Sequence, residues 1–154
     1  MRDQQQPPDV TQDAEIALQC ACFNLRKTAR AVTQLYNAML QPSGLLATQF
    51  SVLVALALAS PLAISSLAEV LGMDRTTLAR NLKPLQRRGL VRVEQSEDDR
   101  RIQLVALTPK GQEALSAAMP LWRKAQHHTV SHLGESRWQT LTTDLSTLVA
   151  VAQA

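Results

Sequence analysis

The chain of 154 residues is poor in aromatic rings, poor in glycine and without a long apolar run. Its five aromatics are Phe23, Tyr36, Phe50, Trp122 and Trp138. So few platforms argue against a reader of single-stranded RNA, which stacks bases on aromatic side chains. Five glycines, with neither GxGxxG nor GxxxxGK[S/T], exclude the usual phosphate-cradling loops. The longest apolar run, Val52–Ala59, is far short of the roughly 20 residues of a membrane span. The opening MRDQQQPPDVTQD has no apolar core of the secretory kind. Two cysteines, Cys20 and Cys22, are too few for a disulfide framework. The expected setting is the reducing cytoplasm. No cofactor and no resident metal are implied.

What is present suits one globular domain. Hydrophobic residues make up 45% and charged residues 19%, enough for a core and too few charges for a disordered chain. The formal net charge is only +3, but it is unevenly placed. Residues 72–110 hold nine cations against five anions, a net +4, and the remainder is −1.

The apolar spacing predicts mostly helices. Residues 1–13 read as a flexible arm. From Ala14 to Leu40, the residues Leu18, Cys22, Leu25, Ala29, Val32, Tyr36 and Met39 step by 4, 3, 4, 3, 4, 3, a heptad stripe that requires a partner helix. Pro42-Ser43-Gly44 stops it. Thr48 is a candidate N-cap for Gln49–Ala59, a helix apolar on nearly every side and therefore central. Two short helices follow, Ile64–Leu71 and Arg75–Arg88, joined at Gly72 and capped by Asp74. Pro84 is expected to bend the second. Leu90–Gln95 and Ile102–Leu107 read as a hairpin around the charged tip SEDDRR, with Ile102, Leu104 and Ala106 alternating against Gln103, Val105 and Leu107. Thr108-Pro109 opens a long helix to about His132, with a kink possible at Pro120. Gly134 separates it from a last helix, about Glu135–Ala152.

The expected class is mainly α: a winged helix-turn-helix (residues 48–108) with extra helices at both ends (14–47 and 109–154). On the 75–88 helix, Arg80, Lys83 and Arg87 share a face opposite Leu78, Leu82 and Leu85. Arg75, Thr76, Thr77, Arg80 and Asn81 lie toward the end that enters the major groove in helix-turn-helix docking. Ser65, Ser66 and the adjoining helix ends suit phosphates. Arg100 and Arg101, at the hairpin tip, suit a narrow minor groove. A merely solvated basic face would carry the same charges; the tandem short helices and basic hairpin favour double-stranded DNA.

The stretch from Ile64 to Leu115, with Asp99-Arg100-Arg101 followed by Val105-x-Leu107-Thr108-x-x-Gly111, closely resembles the multiple-antibiotic-resistance-regulator (MarR) family of bacterial transcription regulators. The resemblance extends over about residues 14–150. It implies a homodimer on a pseudo-palindromic operator, usually a repressor, with the outer helices as the dimer interface. It implies further that Asp99 buttresses the wing through a basic partner while Arg101 enters the minor groove.

The cysteines admit several readings. On one continuous helix, i and i+2 point about 200° apart, too far for a shared ion or an intrahelical disulfide. Either can be a small buried hydrophobe. Cys22-Phe23-x-Leu25 with Tyr36 resembles in part the organic-hydroperoxide sensors of the same family, which oxidise a thiolate held by a tyrosine. Those sensors carry further tyrosines where this chain has Arg26 and Ala47. Arg26, one turn on, favours a thiolate. Alternatives are a thiol-dependent peroxidase-like enzyme using Cys22, or release by a small aromatic acid received at Arg26 or Arg30. His128 and His132 have zinc-compatible i, i+4 spacing but no third ligand, and read as a solvated or interface pair.

Overall fold

The computed structural model describes residues 10–153. The sequence divides into two compact units, residues 1–35 and 36–154.

The first unit holds α1 (Val10–Leu18) and most of α2 (Ala21–Leu40). The expected single helix from Ala14 is therefore broken at Gln19-Cys20. Asn24 supplies the reason. Its side-chain amide donates to the carbonyls of Leu18, at 2.8 Å, and of Cys20, at 3.0 Å. That replaces the helical N–H the Leu18 carbonyl would otherwise need. Leu18 and Cys22 thus lie on different helices, and their four-residue step is not a helical turn. The heptad stripe continues along α2, where Phe23, Leu25 and Val32 are exposed. Of the expected arm, residues 1–9 lie outside the described residues, and Val10–Asp13 begin α1.

The second unit is built around α3 (Ala47–Leu58). Val52, Leu53 and Leu56 are sealed from solvent, as an all-round apolar helix should be. Its N-cap is Leu46 rather than Thr48. The Leu46 N–H is satisfied by the side chain of Gln49, at 3.1 Å. Thr48 instead turns its hydroxyl to another helix. α4 (Ile64–Val70) and α5 (Arg75–Arg87) form the expected tandem pair, with α5 helical through Pro84. Leu67, Leu78, Leu82 and Leu85 bury against α3 and its neighbours.

β2 (Val91–Gln95) and β3 (Gln103–Leu107) make the hairpin. A strand not anticipated, β1 (Leu62–Ala63), pairs with β3 to give the antiparallel order β1-β3-β2. The alternation in β3 is not strict, since Val105 and Ala106 are both buried. Val105 is fully buried and Ile102 is exposed. The register explains this: Val105 lies opposite Val93 and Leu62, and Leu107 opposite Val91, so those residues share the core face.

α6 (Pro109–Leu133) is continuous through Pro120, and α7 (Glu135–Gln153) follows Gly134. Trp122 on α6 stacks on Phe50 of α3 with ring centroids 5.9 Å apart. α7 buries no residue, and Leu141, Leu145, Leu148 and Val149 are exposed on it.

Thr108 joins wing to helix. Its hydroxyl donates to the carbonyl of Gly89, at 2.7 Å, and accepts from the Gly111 N–H, at 3.0 Å, as the N-cap of α6. Its own N–H bonds the Leu90 carbonyl at 3.2 Å. Gly111 is buried directly over that carbonyl; a Cβ there would overlap the Leu90 oxygen and press on Leu107.

Candidate nucleic-acid interface

The first turn of α5 is organised by Asp74. Its carboxylate accepts from the Thr77 N–H, at 2.8 Å, and from the Thr77 hydroxyl, at 2.7 Å. Those bonds, the side-chain one foremost, hold the Asp74 carboxyl below its usual value. The Thr77 hydroxyl hydrogen is thereby committed within the protein. Arg75, Thr76, Arg80, Lys83 and Arg87 are exposed, and the leucines occupy the opposite, buried face.

The hairpin tip is closed by the bonds Ile102 N–H to Asp99 carbonyl and Ser96 N–H to Ile102 carbonyl, each 2.9 Å. Inside it, Asp99 grips Arg101 three times. The carboxylate accepts from the Arg101 backbone N–H at 2.9 Å, from Nε at 3.1 Å and from Nη2 at 3.0 Å. The basic partner expected for Asp99 is thus Arg101 itself. The guanidinium bonds first, and the backbone N–H second, hold the Asp99 carboxyl low. The Arg101 side chain remains 90% exposed, oriented but open to solvent. Arg92 and Glu94 pair at 3.0 Å on the outer face of β2, both well exposed, a pair of small energetic weight.

A cleft of about 380 Å³ gathers Ser65 from α4, Arg75 from α5, and Arg100, Arg101 and Gln103 from the wing. Three guanidinium groups and a hydroxyl from three elements make it an anion-attracting concavity. Ser66, Thr76, Arg80, Lys83 and Arg87 are solvent-facing outside it. Asn81 is placed differently. It is half-buried, its side-chain oxygen accepts from the Thr48 hydroxyl at 2.7 Å, and its amide donates to the Thr77 carbonyl at 3.0 Å. Sequence reading missed this pairing; the available signal was an amide bordering the Leu78/Leu82 core face.

A second cavity, of about 620 Å³, lies within the first unit. Cys20, Cys22, Phe23, Arg26, Lys27 and Arg30 line it. Both cysteines are free and exposed. Because they flank the α1–α2 break, they are not held about 200° apart as on one continuous helix. The Tyr36 hydroxyl donates to Gln126 of α6 at 2.6 Å. His128 and His132 have ring centroids 4.3 Å apart, and no group of three metal-ligating side chains occurs among the described residues. Nor, among them, is any single helix long and apolar enough to cross a membrane.

A three-stranded wing behind a tandem helix pair, with basic side chains on the second helix and wing tip, defines a winged helix-turn-helix protein of the regulator class. Comparison with known proteins agrees. The sequence model of the MarR family matches residues 43–102. The transcriptional repressor MprA of Escherichia coli (strain K12) is 30% identical over 131 residues, 84% of this chain and 68% of that protein. The organic hydroperoxide resistance transcriptional regulator of Bacillus subtilis (strain 168) is 31% identical over 90 residues, 58% of this chain and 61% of that protein's length. The crystal structure of the M. tuberculosis transcriptional regulator MosR in complex with DNA superposes with a TM-score of 0.80 at 41% identity, over 87% of this chain and 96% of that one. The chain belongs to the MarR family of transcriptional regulators.

Proposed function

We propose that the protein is a dimeric transcriptional repressor that grips a pseudo-palindromic DNA operator through α5 and the wing and lets go when an effector acts near α2. The observation that carries this is the cleft holding Ser65, Arg75, Arg100 and Arg101, with Arg101 pre-oriented by Asp99. In this reading α5 enters the major groove. Arg75, Thr76 and Arg80 meet base edges, and Lys83 and Arg87 hold phosphates. Ser65 and Ser66 fix the backbone, and Arg100 and Arg101 enter the minor groove. Thr77 contributes its methyl surface, its hydroxyl being bound to Asp74. The relative MosR was crystallised with DNA.

The dimer is supported by apolar side chains that the chain itself leaves exposed, Phe23, Leu25 and Val32 on α2 and Leu141, Leu145 and Leu148 on α7. Two copies would set two recognition helices about 34 Å apart on one DNA face. In this reading residues 14–47 and 109–154 serve dimerisation and 48–108 read DNA.

For release, the favoured chemistry is thiol oxidation at Cys22. A hydroperoxide delivers its terminal oxygen to the thiolate, the O–O bond breaks, and an alcohol leaves. The placement of Cys22 in one cavity with Arg26, Lys27 and Arg30 supports it, as does the similarity to a regulator named for organic hydroperoxide resistance. The same cations beside Phe23 suit an aromatic carboxylate. Tyr36, already bonded to Gln126, serves the dimerisation region rather than its own chain's thiol.

Fluorescence anisotropy with DNA from upstream of its own gene tests both parts. Arg75→Ala and Arg80→Ala are each expected to weaken binding about tenfold or more. Indifference to both changes would remove the assigned reading surface. Cumene hydroperoxide is expected to dissociate the wild-type complex and to leave Cys22→Ser bound; release of that variant by the oxidant excludes Cys22 as the sensor. Salicylate run in parallel distinguishes the carboxylate route.

A further inference from the structure

The recognition helix is tethered to one corner of the fold at two points. Thr48, in the first turn of α3, donates its hydroxyl to Asn81 at 2.7 Å. Arg88, the C-cap of α5, donates from Nη1 to the Gly44 carbonyl at 2.7 Å. Both acceptor and donor sites belong to the α2–α3 corner. That corner is itself cross-braced, because the Asn37 side chain at the end of α2 accepts from the Ala47 N–H at 2.7 Å. Gly44 sits in the left-handed region at φ 68, in the turn whose carbonyl meets Arg88.

Asn81 and Arg88 are seven residues apart, so they lie on one stripe of α5. The stripe falls between the leucine face and the face of Arg80, Lys83 and Arg87. The division of labour follows from the forces involved. Leucine burial holds α5 against the core but is non-directional, so it tolerates small rotations and slides of the helix. Short hydrogen bonds lose strength steeply with angle and distance. The two tethers therefore fix rotation and axial position.

We infer that Thr48, Asn81 and Arg88 are positioning residues for operator recognition, and that Asn81 acts through Thr48 rather than by touching DNA. The inference rests on the reading of α5 as the DNA-reading helix. Its consequence is that a change at the α2–α3 corner moves the basic face of α5 without altering any residue on that face.

The test is a double-mutant cycle on the full-length protein, read by anisotropy against DNA from upstream of its own gene and against a scrambled duplex of equal length. Thr48→Val and Asn81→Ala are each expected to weaken specific binding about tenfold and to leave scrambled-duplex binding unchanged. The double variant should be no weaker than either single one. Thr48→Ser should restore wild-type selectivity. Circular dichroism melts show which variants are folded at the assay temperature, and a purely structural role would lower the melting temperature without changing the specific-to-scrambled ratio. A weak Asn81→Ala beside a wild-type-like Thr48→Val makes Asn81 a direct DNA contact and overturns the inference, as do additive losses or variants that all bind normally. A wild-type protein that fails to prefer the upstream DNA over the scrambled duplex overturns the DNA-reading assignment beneath it.

Discussion

Gly111→Ala is expected to destabilise the fold by about 3 kcal/mol or more, at the upper end of overpacking costs. The added Cβ would overlap a backbone carbonyl, that of Leu90, and lie 2.7 Å from Leu107 Cδ1. A flexible side chain can yield to such a contact; the Leu90 carbonyl cannot, because it is backbone already held by the Thr108 N–H. Moving α6 away would uncap it at Thr108 and disturb Leu115 and Ala118 in the core. Urea unfolding followed by circular dichroism measures the loss. Lys110→Ala, on the exposed neighbour, should stay within about 0.5 kcal/mol of wild type. An unchanged midpoint for Gly111→Ala would mean that the first turn of α6 is free to leave Leu90.

The largest functional effect is expected at the wing. Arg101→Ala should weaken operator binding by about ten- to hundredfold and lower the salt slope by about one unit, the signature of one lost cation. Asp99→Asn keeps the shape but removes the carboxylate that holds Nε and Nη2. It should weaken binding less than Arg101→Ala and leave the salt slope nearly unchanged, since the cation remains. Equal salt slopes for wild type and Arg101→Ala would show that the guanidinium meets no phosphate-rich groove. Asp99 gives a definite pH rule. Its folded-state carboxyl lies below the ordinary 3.8, so its contribution is complete above that value and is lost as pH falls through the lowered one. Asp74 follows the same rule at the start of α5. Binding measured between about pH 6 and 8 should carry no titration from either carboxylate.

The helix pair, hairpin and long helix were legible because their signals are local. Asp74, Pro109 and the leucine spacing each act within one or two turns. The basic surface was legible for the same reason, charge being a property of residue type. What escaped depends on partners distant in sequence. β1 is two residues long and exists because β3, forty residues on, offers it an edge. The alternation of β3 offers two apolar sets, and only the pairing with Val93 and Leu62 shows that the one with Val105 faces the core. Thr48 has the chemistry of an N-cap, and its choice of Asn81 instead is a tertiary matter. The break at Cys20 lay within reach, since an asparagine inside an apolar helical pattern signals competition for backbone carbonyls.

β1 runs into Ile64, the first residue of α4, with no spacer, while its pairing with β3 leads back to the wing tip. In the proposed reading, the wing and the helix pair α4–α5 form a single caliper joined through β1. One extra base pair between the major-groove and minor-groove segments would displace one jaw's target by about 3.4 Å and turn it by about 35°. That exceeds the reach of a hydrogen bond. If α5 and the wing read DNA as proposed, the operator is defined by its internal spacing as strictly as by its letters.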